Sequence, residues 1–192
     1  REKLKIMKEY GVGRISINPQ TMNQNTLDII GREHRVADIV HVFDMAREEG
    51  HQNINMDLIV GLPGEVPKDI MATMEQIKKL SPDNITVHTM AIKRASRLKA
   101  TINEYQLASA LAIEQMLRIT AQGASQMGMV PYYMYRQKDT MGNFENVGYT
   151  TVGKECIYNI QMIAEQQTII AMGAGAVTKL VCDKGKHLER IP

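Results

Sequence analysis

In Asn53-Ile54-Asn55-Met56-Asp57-Leu58-Ile59-Val60-Gly61-Leu62-Pro63-Gly64-Glu65, the apolar residues Ile54, Met56, Leu58 and Val60 alternate with Asn53, Asn55 and Asp57. A period of two puts the sets on opposite faces of an extended strand. The Gly-Leu-Pro-Gly that follows cannot extend a ladder, because proline lacks the donor and glycine weakens a strand, and Val66 to Ile70 then opens a helical pattern. Strand, tight turn and helix make one βα unit, in which both sheet faces are normally covered and apolar. A face of amides ending in a carboxylate breaks that rule. An ionised carboxylate buried without a partner is strongly destabilising, so Asp57 is expected to meet water, a cation or a polar ligand, or else to cap a neighbouring loop.

The two-faced pattern recurs in Arg14-Ile15-Ser16-Ile17-Asn18-Pro19-Gln20, and Ile85 to Ala91 supplies a third strand at the spacing of one βα repeat. Helices are expected over Glu2 to Tyr10, Thr21 to Gly31 with Asn23 or Asn25 as N-cap, and Val36 to Ala46 running on to Gly50. Lys68 to Leu80 should bury Ile70, Met71, Met74, Ile77 and Leu80. Asn103 to Met127 should do so through Leu107, Leu111, Ile113, Met116, Leu117 and Ile119. Beyond it Val130 to Gln137 is short and aromatic, Gly142 to Tyr149 reads as glycine-punctuated loop, and Thr168 to Met172 as another apolar strand. The expected organisation is α/β: parallel βα units over residues 1–128, and a β-rich extension over 129–192 packed on them.

At 192 residues and 44% hydrophobic the chain can bury a sizeable core. Its net charge of +2 balances 23 basic against 21 acidic residues without long like-charge runs, which gives no case for nucleic acid or a charged membrane surface. No run approaches the ~18 apolar residues of a membrane span. Cys156 and Cys182 have no CxxC or histidine-rich company, so no metal site is expected within the chain, and two unpaired thiols suit a reducing cytoplasm. No signal-peptide pattern is present, and the start at Arg1 inside a helical pattern marks an expected piece of a longer protein.

In parallel α/β folds ligands bind at the C-terminal ends of the strands, where Gln20 and Asp57 fall. An amide that donates and accepts suits an amino-acid head group or a ribose, although it equally well stabilises a loop. Arg32 offers a planar fork for a carboxylate, or a place on the surface. Gly61 to Glu65 lacks the GK[ST] ending of a phosphate loop, and Gly173-Ala174-Gly175-Ala176 lacks the third glycine of a dinucleotide loop. Tyr132, Tyr133 and Tyr135, with Arg136 and Lys138, either grip an aromatic, carboxylate-bearing ligand or form a core strand with a charged end. His34, His41, His51, His88 and His187 have no ligand-spaced partners and read as structural or surface residues.

Arg14 to Gln20, Asn55 to Gly64 and Ser81-Pro82-Asp83-Asn84-Ile85-Thr86-Val87-His88 together resemble the oxygen-independent coproporphyrinogen III oxidases, which are radical S-adenosylmethionine (SAM) enzymes. Asn18 to Asn23, Pro131 to Lys138 and Glu145-Asn146-Val147-Gly148-Tyr149 are most similar to the HemZ-type coproporphyrinogen dehydrogenase branch. The resemblance implies the second half of a partial (β/α)6 TIM-like barrel with a C-terminal extension. It implies adenosylmethionine contacts at Gln20, Arg32, Asp57, Ala91 and Val177, and a 4Fe-4S cluster whose CxxxCxxC ligands would lie upstream, leaving this stretch inactive alone. The implied reaction is radical decarboxylation of a tetrapyrrole propionate in haem biosynthesis, fed by an electron donor. A sister group of haem-binding chaperones and a non-catalytic interaction protein are the alternatives.

Overall fold

The computed structural model describes residues 1–91, 107–137, 140–182 and 187–191, in two compact units, Arg1–Glu155 and Cys156–Pro192. In the first, helix α1 (Glu2–Glu9) leads into strand β1 (Ile15–Ser16), α2 (Gln24–Ile29), α3 (Val36–Glu48), β2 (Ile54–Val60), α4 (Pro67–Leu80) and β3 (Asn84–Thr89). After α5 (Ala110–Gln126), strand β4 (Val130–Tyr135), a 3-10 turn at Met141–Asn143 and β5 (Asn146–Thr150) complete it. The sheet order is β1-β2-β3-β5-β4, parallel through β1, β2 and β3 and antiparallel from β3 onward. The expected α/β class and parallel βα units are observed.

Helix starts follow the local chemistry. The Asn23 side chain accepts from the amide of Asn25, fixing the start of α2. At α3 and α4 an aspartate in the first turn reaches back instead: Asp38 accepts from the Arg35 amide and Asp69 from the Val66 amide, both at 2.8 Å. Ser81 ends α4 in the left-handed region. Its carbonyl accepts from Arg47, whose guanidinium also reaches Asp83 and the His51 carbonyl. The end of α3, the end of α4 and the loop before β3 are thereby tied together.

One sheet face is the core. Ile54, Met56, Leu58 and Val60 of β2 and Ile85 and Val87 of β3 are fully or almost fully buried, under Ile39 and Phe43 of α3, Ile70, Met74 and Ile77 of α4, and Ile113 and Met116 of α5. Each such side chain stabilises the fold by about 1.5–3 kcal/mol through removal from water. Two expected core residues are out of phase: Met71 is 55% exposed and Leu111 66%, because each lies beside rather than along the stripe its helix buries. The Asn103 to Ser109 start expected for the long helix lies partly outside the described residues; α5 itself begins at Ala110, capped by Ser109.

Three further expectations change. The first strand ladder is confined to Ile15–Ser16, since Pro19 interrupts it and Gln20 rejoins β2 only as an isolated bridge to Leu58. Gly142 to Tyr149 is not all loop: Asn146–Thr150 is a strand paired on both sides, with β3 and β4. Gly148 belongs there because a Cβ would stand 1.8 Å from the Tyr133 ring, so the glycine gives the aromatic its place and does not mark a turn. As a result the first compact unit runs to Glu155, whereas the texture of the sequence changes at residue 128.

The second unit holds α6 (Ile157–Ala164) and the antiparallel hairpin β6 (Thr178–Cys182) and β7 (His187–Ile191). Lys179 and Arg190 both pair with Glu165, at 2.8 and 2.9 Å. Thr168 to Met172 is not a strand; it makes a single bridge at Ile169 to Lys179, and Ile170 and Met172 stand exposed. Among the described residues no helix is long and apolar enough to cross a membrane.

Candidate functional site

The face of the sheet opposite the core carries the chemistry. Parallel register sets Asp57 beside Thr86 and Ile59 beside His88, and the antiparallel strands bring Gly148 to Thr86 and Tyr133 to Gly148. A bulge between Pro131 and Tyr133 resets the side-chain alternation on β4, so Tyr133 and Tyr135 both address this polar face. The Asn55 amide donates to Asp57 Oδ1 at 2.7 Å and, more loosely, to the Ser16 hydroxyl at 3.3 Å. Thr86 Oγ1 donates to Asn55 Oδ1 at 3.1 Å and lies 3.3 Å from the Tyr133 hydroxyl. His88 bridges the rest: Nε2 is 3.9 Å from Asp57 Oδ2, an ion-pair distance longer than a hydrogen bond, and Nδ1 is 3.2 Å from the Tyr135 hydroxyl.

Desolvation works against ionisation of Asp57, but the facing His88 ring first and then the Asn55 amide outweigh it and hold the carboxyl below its ordinary value. Its side chain remains 24% exposed. Burial pushes the Tyr133 phenol up to about 12 and raises Tyr135 as well, so both hydroxyls stay protonated and serve as hydrogen-bonding groups. The Tyr133 and Tyr135 rings are parallel within 4°, 6.3 Å apart, and Tyr132 meets Tyr133 edge-on.

At the C-terminal ends of β2 and β3 this face opens into a cleft of about 390 Å³. Gln20, Arg32, His88, Ala91 and Tyr135 contribute its polar and backbone groups, and Ile30, Ile59, Leu62 and Met90 its apolar wall. Gln20 is held there in an unusual backbone state, φ 69°, with its amide donating to the Asp57 carbonyl and its carbonyl accepting from the Ile59 amide. A non-glycine residue in the left-handed region between two strand hydrogen bonds is strain of the kind that accompanies function. Arg32 is exposed at the cleft after the end of α2 and makes no ion pair among the described residues. Ala91 sits where β3 leaves the sheet, bridged to Thr140.

Three of the five positions implied for adenosylmethionine, Gln20, Arg32 and Ala91, therefore line one cleft, and Asp57 lies two residues before Ile59 on its floor. Val177 is in the second unit, 46% exposed. Of the aromatic segment, Tyr135 lines the cleft and Tyr133 joins the network behind it, whereas Arg136 is an exposed residue engaged by Glu145. Lys138 lies outside the described residues. The site also includes His88, read from sequence as structural or surface. Strand alternation from Thr86 was the available signal, since it puts His88 on the face that register gives to Asp57.

Residues 1–77 match the family model described as the radical SAM superfamily. The chain is 44% identical over 186 residues to the oxygen-independent coproporphyrinogen-III oxidase-like protein HemZ of Bacillus subtilis, covering 96% of this chain and 37% of that protein. It is 38% identical over 92 residues to the heme chaperone HemW of the same organism, covering 48% of this chain and 24% of that one. Among solved structures, the coproporphyrinogen III oxidase HemN of Escherichia coli, a radical SAM enzyme, superimposes with a TM-score of 0.68 at 20% identity, over 92% of this chain and 41% of that one. The chain thus spans less than half the length of these relatives.

Proposed function

From the premise that the chain is a relative of the radical SAM enzymes of the oxygen-independent coproporphyrinogen III oxidase type, we propose that the whole protein is an oxidoreductase that decarboxylates coproporphyrinogen III to protoporphyrinogen IX. The observation that carries this is the convergence of Gln20, Arg32 and Ala91 on one cleft, with Asp57 immediately behind it. Those groups fit adenosylmethionine. A carboxylate takes ribose hydroxyls or an ammonium, the Gln20 amide takes either partner, and the Arg32 fork takes the ligand's carboxylate. Adenosylmethionine and the superfamily's 4Fe-4S cluster, when bound, supply one-electron, hydrogen-abstracting chemistry. This chain's share is placement and protection: the polar groups fix the ligand, and Ile30, Ile59, Leu62 and Met90 keep water from one side of it. The tetrapyrrole is assigned to the aromatic strand, where Tyr132, Tyr133 and Tyr135 offer ring faces and hydroxyls. Arg136, shared with Glu145, is available to a substrate carboxylate only by exchange of partners.

Calorimetric titration of adenosylmethionine into the cluster-loaded whole protein tests the cleft. Asp57→Ala should weaken binding by about 1–3 kcal/mol, the range for removing a charged hydrogen-bond partner, and Arg32→Lys should lose affinity too. Wild-type affinity in Asp57→Ala removes that carboxylate from the site. The likeness to HemW favours a second reading, in which the same aromatic face carries haem. Anaerobic turnover with product chromatography, run beside a haem titration, separates them: no decarboxylated product together with stoichiometric haem uptake leaves the chaperone.

A further inference from the structure

His88 has no role in the reading above, yet it touches both halves of the site: its Nε2 faces Asp57 at 3.9 Å and its Nδ1 meets the Tyr135 hydroxyl at 3.2 Å. It also lines the cleft, with its ring edge-on to that of Tyr135. A neutral imidazole carries one N–H, and its neighbours decide which nitrogen holds it. With Asp57 ionised and no ligand donor at the Oδ2 that faces His88, the carboxylate favours the tautomer with the proton on Nε2, in which Nδ1 accepts and the Tyr135 O–H is spent on it. When a ligand's own donors occupy Asp57, that pull weakens. The proton then resides on Nδ1 by exchange through solvent and donates to the Tyr135 oxygen, leaving the Tyr135 O–H to donate to a second ligand. One proton changes nitrogen and none is gained or lost.

We propose that His88 is a positioning residue that couples the two ligand sites: adenosylmethionine at Asp57 turns the Tyr135 hydroxyl into a donor for a carboxylate of the tetrapyrrole. The inference rests on the ligand assignments proposed above. It requires positive and reciprocal coupling, because each ligand must raise the other's affinity by the same factor.

The test uses the cluster-loaded whole protein without reductant, so that no turnover occurs. Coproporphyrin III, an oxidised relative of the substrate with the same carboxylates, is titrated by fluorescence with and without saturating adenosylmethionine. In the wild type adenosylmethionine should tighten porphyrin binding by about fivefold or more. His88→Leu and Tyr135→Phe should each bring the factor to about one while both ligands still bind singly, and the double variant should change nothing further. Removal of the Tyr135 hydroxyl alone leaves the ring and its packing, so Tyr135→Phe keeps the test open if His88→Leu fails to fold. A factor of one in the wild type, or a wild-type factor that survives Tyr135→Phe, overturns the coupling and leaves the ligand assignments standing. A wild type that binds either ligand not at all overturns both, as the single-ligand titrations would reveal.

Discussion

Replacing Gly148 by alanine isolates the packing that presents the aromatic strand. Gly148 lies within a β-strand, so the effect of a methyl is steric and not conformational. The new Cβ would stand 1.8 Å from Tyr133 Cε1, 2.4 Å from Cδ1 and 2.7 Å from Cζ. Ordinary contact needs about 3.4 Å or more, so a rigid ring must swing away by well over an ångström, and backbone pairing on both sides of β5 prevents the strand from giving instead. The swing sacrifices the hydroxyl contact to Thr86, worth about 1 kcal/mol, and the ring pairs with Tyr132 and Tyr135, about 0.5–1.5 kcal/mol. Gly148→Ala should therefore destabilise by about 1.5–2.5 kcal/mol, read as a lowered urea midpoint at unchanged slope. In a Tyr133→Ala background the same alanine should cost less than about 0.5 kcal/mol, since the clash has no partner. Equal costs in the two backgrounds would refute the reasoning, as would a Gly148→Ala protein of wild-type stability.

Glu65 is 3% exposed, accepts from the Thr21 hydroxyl at 2.6 Å and leaves its second oxygen without a hydrogen-bond partner among the described residues; burial is the main reason its carboxyl titrates above the ordinary value. Its contribution to stability is thus present at acid pH and lost as pH rises from the ordinary carboxyl value through the raised folded one, so Glu65→Gln should gain on the wild type in thermal melts across that window and by a constant amount above it. Ser81→Gly should stabilise by about 0.5–1 kcal/mol in urea titrations, the left-handed strain of about 1–2 kcal/mol at φ 53° less the entropy that glycine adds to the unfolded chain. Asp83→Ala should cost about 1.5–3 kcal/mol in the same measurement, since its carboxylate accepts from the Ile54 amide at 2.9 Å and pairs with Arg47 at 2.8 Å.

Periodicity located β2, α4 and β3 closely because each has a clean two- or 3.6-residue pattern and a chemical stop, proline and glycine after β2 and Ser81-Pro82 after α4. It failed where long-range space decided the outcome. Gly148 looked like loop chemistry until the Tyr133 ring explained it, and Thr168 to Met172 had strand composition but, among the described residues, found only one bridging partner. The candidate site divides the same way. Gln20 and Asp57 could be nominated from strand alternation, and alternation from Thr86 puts His88 on a polar face, but only the register of β2 with β3 brings it to Asp57.

The sequence by itself determined the βα order and the polar character of one face of β1 and β2, because alternation and breaker residues act within a few residues of themselves. Tertiary structure alone decided which groups share that face. Strand register set His88 opposite Ile59, two residues on from Asp57 and on the same face, and the bulge on β4 turned Tyr133 and Tyr135 toward them. The left-handed backbone at Gln20 is held by two hydrogen bonds to β2, from its amide to the Asp57 carbonyl and from the Ile59 amide to its carbonyl. Register and bulges are fixed by the packing of strands distant in sequence, since a slip of one residue inverts every side chain, and a single strand's pattern cannot say which partner it will meet.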